Sequence, residues 1–248
     1  MKSIGIIPSR YASTRFPGKP LVEIKGKTMI QRVYEQSVKS IYLSKVIVAT
    51  DDDRIYNHVK SFGGEVLMTD INHTNGTSRC NEIISLLEKK GENYDIAVNI
   101  QGDEPNINPE QIDSVVALFD NSNVQIGTLA KKVSSNDELF DPNVVKVVIG
   151  NDYNALYFSR HAIPVLRGID QDSWLNNFIF FKHIGIYSYR TSVLKAIAIM
   201  PVGQLEQAEK LEQLRWLENG ISISVDITDY ESVAIDTVDD LQKLENIS

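Results

Sequence analysis

Val46-Ile47-Val48-Ala49-Thr50-Asp51-Asp52-Asp53 decides how this chain folds. Four apolar residues in succession suit a strand covered on both faces, because a strand with one wet face alternates apolar and polar residues. The polar run after Ala49 ends the strand, and a polar helix follows to Phe62, where Gly63-Gly64 stops it. The same grammar recurs on either side. Ile4-Gly5-Ile6-Ile7 is an apolar run ended by Pro8, and Thr28 to Ser40 carries a helical stripe of Met29, Ile30, Val33, Tyr34 and Val38. Val66-Leu67-Met68 predicts a third strand, and Thr77 to Lys90 a helix with Cys80, Ile83, Ile84 and Leu87 on one face. Ile96 to Ile100 predicts a fourth strand, and Pro109 opens a helix with Ile112, Val115, Val116 and Phe119.

Strand–helix units in succession predict an α/β fold whose sheet is mostly parallel and covered on both faces. The loops after the strands then share one edge, the edge where such sheets bind ligands. Residues 8–19, 50–53, 69–79 and 101–105 therefore form one candidate site. The second half is less regular. Strands are expected at Val144–Ile149, Ala155–Phe158, His183–Tyr189 and Ile221–Val225. Helices are expected at 191–199 and at 205–219, the latter closed by Gly220. Thr237-Val238-Asp239-Asp240 predicts a capping box. No repeat or linker divides the 248 residues, so one domain with an inserted substrate or dimerisation region is expected.

The chain carries 33 acidic and 25 basic residues, a formal charge of −8. That balance argues against nucleic acid and anionic membranes as partners, since both require clustered Lys and Arg. Hydrophobic content of 42% argues against disorder. The single cysteine, Cys80, excludes an intramolecular disulfide and is expected in the core. No stretch reaches membrane-spanning length and the apolar run at the start is too short for a signal sequence, so a cytoplasmic protein is expected.

Between Arg10 and Lys27 stand five basic residues and one acid, Glu23. Arg10, Arg15 and Lys19, interleaved with Ser13, Thr14 and Gly18, suit a triphosphate: arginine binds phosphate through a fork and small residues let backbone N–H groups approach. Gly26-Lys27-Thr28 resembles the end of a Walker A loop, but Leu21 stands where that motif needs glycine. No Gly-x-Gly occurs, so the dinucleotide fingerprint is absent too. After the fourth strand, Asn99-Ile100-Gln101-Gly102-Asp103-Glu104-Pro105 places an acid within reach of a phosphate-bound metal; Asp236, before the capping box, is its candidate partner. Hard carboxylates without a His/Cys cluster favour magnesium.

Arg10 to Leu21 resembles the N-terminal signature of the 3-deoxy-manno-octulosonate (Kdo) cytidylyltransferases. So do Val48 to Asp51, Asn75 to Arg79, Asn99 to Pro105, Ala155 to Arg160, Lys182 to Tyr187, Leu211 to Arg215 and Ile235 to Thr237, in family order across nearly the whole chain. The resemblance implies a three-layer, Rossmann-like nucleotide-diphospho-sugar-transferase fold. It implies a nucleotide half at about 1–130 and a sugar-acid and dimerisation half at about 131–248. It further implies transfer of CMP from CTP to the anomeric hydroxyl of Kdo, with Mg²⁺, in lipopolysaccharide biosynthesis and by a homodimer. By similarity, Arg10 and Lys19, with Ser13 and Arg15, would hold the phosphates. Asp103 and Asp236 would hold magnesium, and Asn75, Gly76, Thr77 and Arg79 the cytidine. Gln101, Arg160, His183, Tyr187, Glu212 and Gln213 would face the sugar acid.

The chemistry agrees with those roles. An arginine suits a carboxylate, and Gln, Glu, His and Tyr suit hydroxyls. His183, Gly185 and Tyr187 share one strand face, with the glycine leaving room. His58, His73 and His161 are expected as surface or loop residues. Many relatives have Ser and Glu where this chain has Asn75 and Ser78, and Pro-Trp-x-Arg-Asp where it has Pro164-Val165-Leu166-Arg167-Gly168. A modified Kdo or another sugar acid is the alternative substrate. Trp174, Trp216 and Phe178 to Phe181 suit either the core or an interface.

Overall fold

The computed structural model describes residues 1–12, 16–231, 234, 235, 237, 240 and 241. Strand β1 (Ser3–Ser9) leads through a small hairpin, β2 (Glu23–Ile24) and β3 (Lys27–Thr28), into helix α1 (Met29–Ser37). There follow β4 (Leu43–Thr50), α2 (Asp53–Ser61), β5 (Val66–Met68), α3 (Gly76–Lys89), β6 (Ile96–Asn99) and α4 (Pro109–Ala117). The helices begin where the sequence supplies acceptors for their free N–H groups. Thr28, Asp52 and Asn75 accept from the backbones of Gln31, Arg54 and Ser78, and Asn108 forms a reciprocal box with Gln111.

The second half contains β7 (Ile126–Lys132), α5 (Asn136–Phe140), β8 (Lys146–Ile149), β9 (Ala155–Ser159), α6 (Trp174–Asn177) and β10 (Phe181–Arg190). It continues with α7 (Thr191–Ala198), α8 (Gln204–Glu209), α9 (Gln213–Glu218) and β11 (Ile223–Ile227). One nine-stranded sheet runs through both halves in the order β11-β7-β10-β6-β1-β4-β5, with β8 and β9 continuing from β10. β1, β4, β5 and β6 are parallel as predicted, whereas β10 runs antiparallel to both β6 and β7. Ile4, Ile6, Ile7, Val48, Ala49 and Val98 are fully buried because helices cover both faces. Cys80, Ile83, Leu194 and Ile197 of α3 and α7 pack on one face; Ile30, Val33, Ile55 and Ile112 of α1, α2 and α4 pack on the other. No described helix is long and apolar enough to cross a membrane.

Three features depart from the sequence expectations. β7 was not among the expected strands: Gly127 and Thr128 interrupt its apolar run, and a Cβ at Gly127 would lie 2.6 Å from Ser188 Oγ and 2.9 Å from Leu118 Cδ1. The single helix expected at 205–219 is two, broken at Lys210, whose φ of 56° is left-handed. In β10, Ile184 pairs with Leu129 but Tyr187 with Thr128, so two extra residues bulge out. The Thr128 hydroxyl holds that bulge by donating to the Ile186 carbonyl at 2.8 Å. An even insertion preserves the alternation, and Ile184 and Ile186 face one core while Tyr187 and Tyr189 face the other.

The expected capping box forms, with Thr237 N donating to Asp240 Oδ2 at 2.9 Å and Asp240 N to Thr237 Oγ1 at 3.2 Å. Trp174, Phe180 and Trp216 are core residues, whereas Phe178 and Ile179 are exposed.

Candidate active site

A cleft of about 400 Å³ opens at the C-terminal ends of β1 and β6. The loop after β1 supplies Pro8, Ser9, Arg10 and Lys19; the loop after β6 supplies Gln101, Gly102 and Asp103. These loops touch because residue 102 has no side chain: a Cβ there would lie 2.9 Å from the Pro8 carbonyl oxygen. The start of α3 adds Asn75, Gly76, Thr77 and Arg79, and the opposite wall comes from Tyr187, Tyr189, Glu212, Gln213 and Trp216. Of the four predicted loops, 50–53 alone contributes no lining residue.

Lys19 follows Gly18, which holds the left-handed φ of 73° that starts the tight turn at 19–21. Lys19 Nζ donates to Asp103 Oδ2 at 2.8 Å, joining the basic loop to the acid beyond β6. The carbonyl of Asp103 accepts from Ile235 N at 2.9 Å, so the residue before Asp236 lies against the same loop. Ser13, Arg15 and Asp236 themselves lie outside the described residues. Among the described residues no cluster of three His, Cys, Asp or Glu side chains forms a closed metal site. Asp103 fits the other arrangement, a hard oxygen donor lining an open cleft, because Mg²⁺ takes only one or two carboxylates when phosphates and water complete its shell.

Arg79 lines the cleft, yet its guanidinium is committed to Asp51, whose Oδ2 accepts from Nη2 at 2.6 Å, and to the Thr69 hydroxyl. Asp51, expected as a cap or solvated charge, is thus half of a buried ion pair tying the ends of β4 and β5 to α3. Thr77 Oγ1 donates to Glu212 Oε2 at 2.9 Å, linking the start of α3 to the break before α9. Burial pushes the Glu212 carboxyl above the usual carboxylate range. Gln101 Nε2 donates to the Gly185 carbonyl at 2.8 Å, and the nearest atom to a Cβ at Gly185 would be Gln101 Cγ at 4.0 Å. The space expected beside that glycine is therefore present.

Ser9 Oγ, Tyr187 Oη and Trp216 Nε1 are buried at this cleft without a hydrogen-bond partner among the described residues. Burial raises the Tyr187 phenol well above its usual range, so it remains a donor. Unpartnered polar groups beside amide and carboxyl groups suit a ligand rich in hydroxyls.

Two predicted sugar-side residues lie outside the lining. Arg160 Nε donates to the Glu209 carbonyl at 2.8 Å and Nη1 to the Pro142 carbonyl at 3.1 Å. His183 packs edge-on against Phe158, with Nε2 2.9 Å from Thr128 Oγ1. Because the Thr128 hydroxyl proton goes to a carbonyl, the His183 ring nitrogen is the donor. Burial pulls this imidazole down to about 3, so the ring is neutral.

Sequence reasoning did not select Ser9, His73, Tyr189 or Trp216. His73, expected as a surface or loop residue, lines the cleft, with Nδ1 3.0 Å from Ser78 Oγ and Nε2 2.5 Å from Glu82 Oε2. Its position two residues before Asn75, in the segment opening α3, was the available signal.

A family model described as Cytidylyltransferase matches residues 4–225. The chain is 56% identical over 247 residues to the 3-deoxy-manno-octulosonate cytidylyltransferase of Parabacteroides distasonis, covering 98% of this chain and 96% of the relative. It is 52% identical to that of Bacteroides thetaiotaomicron, covering 99% and 97%. Among solved structures, a CMP:2-keto-3-deoxy-manno-octonic acid synthetase complexed with CTP superposes with a TM-score of 0.91 at 38% identity, covering 100% of this chain and 98% of that one. With its sheet order, its cleft at the strand ends and this likeness along the whole chain, the protein belongs to the 3-deoxy-manno-octulosonate cytidylyltransferase family.

Proposed function

We propose that this enzyme transfers CMP from CTP to Kdo. The anomeric oxygen of the sugar acid forms a bond to the α-phosphorus, the bond from that phosphorus to the oxygen bridging to the β-phosphate breaks, pyrophosphate leaves, and the hydroxyl proton goes to solvent. The observation that carries this reading is the Lys19–Asp103 contact at the cleft, where a phosphate-loop cation meets a metal-type acid beside two substrate-sized walls. Arg10 and Lys19, with Ser13 and Arg15, would bind the triphosphate, and Asn75, Gly76 and Thr77 the cytidine. Arg79 would fix that wall through Asp51 rather than bind the nucleotide with its own guanidinium.

Gln101, Tyr187, Glu212 and Gln213 would take the hydroxyls, and Arg160 and His183 would support the sugar-acid side. Magnesium, held by Asp103 and Asp236, would supply positive charge to the phosphates. The protein's own part is positioning and charge stabilisation, with no covalent intermediate. Leu156, Val165, Phe178 and Ile179 are 42–70% exposed, which supports a homodimer built on the second half. Work in the cytoplasm, within lipopolysaccharide assembly, follows from the same reading.

The test is pyrophosphate release with CTP, Kdo and Mg²⁺, with ATP, UTP and other sugar acids as comparisons. No release above background by folded protein would overturn the proposal. Faster turnover of a modified Kdo would instead select the alternative substrate raised by Asn75, Ser78 and residues 164–168.

A further inference from the structure

Arg54 lies outside the cleft, at the start of α2, with 59% of its side chain exposed. Its guanidinium is nevertheless fixed on two sides. Nε and Nη2 donate to the two oxygens of Asp52 at 2.9 and 2.7 Å, and Cζ lies 3.3 Å from the centroid of the Tyr11 ring. Tyr11 also lies against Gly18: a Cβ there would come within 3.1 Å of Tyr11 Cζ, and Gly18 N donates to the Tyr11 carbonyl at 3.0 Å. The chain thus closes on itself between residues 11 and 18. Arg10 and Lys19, the cleft-lining cations of this loop, immediately flank that closure.

We infer that Arg54 is a positioning residue for the triphosphate: stacked on Tyr11, it holds the closure between Tyr11 and Gly18 and so sets the spacing of Arg10 and Lys19. Fixing the two cations before CTP arrives removes an ordering cost that would otherwise reduce affinity. Arginine suits the task because its planar head forks to a carboxylate and stacks on an aromatic ring at once, which an ammonium cannot do. The inference rests on the reading of residues 10–19 as the phosphate site.

Arg54→Ala and Arg54→Lys test it beside Tyr11→Leu, the double variant, and Arg10→Ala and Lys19→Ala as controls. The α2 cap survives substitution because Asp52 accepts from the backbone N–H of residue 54. The expected result for Arg54→Ala is a KM for CTP raised about two- to fivefold, with cytidine affinity and the KM for Kdo unchanged. Arg54→Lys should not restore the lost affinity, and Tyr11→Leu should add little on top of Arg54→Ala. An unchanged KM for CTP in Arg54→Ala, with raised values in the two controls, overturns the inference. So does full restoration by lysine, which would reduce Arg54 to a diffuse charge. Unchanged values in the controls as well would overturn the phosphate-site reading itself.

Discussion

The two walls of the cleft are assembled by different means. On the side proposed for the nucleotide, Arg10, Lys19, Thr77 and Asp103 arrive because parallel strands end at one edge, and whatever follows a strand is delivered there. On the other side, delivery depends on particular irregularities: a two-residue bulge in β10 and a left-handed Lys210 that separates α8 from α9 just before Glu212. Arg160 and His183 are held behind that wall by Glu209, Pro142 and Thr128. Regular architecture thus places the groups proposed to bind phosphate, while local exceptions to regularity shape the wall proposed for the sugar acid.

The largest expected effect strikes the order of the first of these walls. Arg79→Met would strand Asp51 as a buried charge and cost about 3–5 kcal/mol of stability, measured by denaturant unfolding. A loss below about 1 kcal/mol would mean that solvent already screens the pair and that this wall is less rigid than drawn. Next, Asp103→Asn should lower kcat about a hundredfold or more while leaving the unfolding midpoint nearly unchanged. Parallel loss of both would make Asp103 structural and dissolve the contrast between frame and chemistry.

Arg160→Ala probes the other wall. It should raise the KM for Kdo about tenfold and leave that for CTP alone; equal changes would place this arginine on neither side in particular. The effect that is smallest at neutral pH concerns His183 and grows only in acid. Its imidazole is held down to about 3 when folded and titrates from its ordinary value of 6.5 when unfolded. As pH falls below 6.5 the unfolded chain therefore takes up a proton that the folded chain refuses until about 3. Stability is lost across that window by at most about 1.4 kcal/mol per pH unit. His183→Gln should flatten this part of the stability–pH curve, and an unchanged slope would assign acid sensitivity elsewhere.

What could be read in advance follows the same division. The runs at 4–7, 46–49 and 96–100 announce two-sided burial, whereas the run at 66–68 forms an edge strand with Met68 exposed; the basic and acidic loops after the runs at 4–7 and 96–100 fall at one edge by topology alone. β7 escaped notice because Gly127 serves close packing against Ser188, a demand set by a partner sixty-one residues away. The break at Lys210 carries no glycine or proline to mark it. Asp51 looked like a cap because its partner, Arg79, is twenty-eight residues distant in sequence and becomes adjacent only after α3 docks. The residues of the site that were legible are those that local sequence delivers; the others depend on tertiary partners.

The place of β10 has a consequence for how this protein can be divided. It pairs with β6 from Tyr187↔Asn99 to Arg190↔Ile96, so a strand from the second half closes the sheet of the first. A fragment ending after α4 would leave the main-chain groups of Ile96-Ala97-Val98-Asn99 unpaired along an apolar edge, an invitation to intermolecular strand pairing. The halves are therefore not exchangeable modules, and new sugar-acid specificity is more readily grafted at the bulge and the α8–α9 break than by swapping the second half whole.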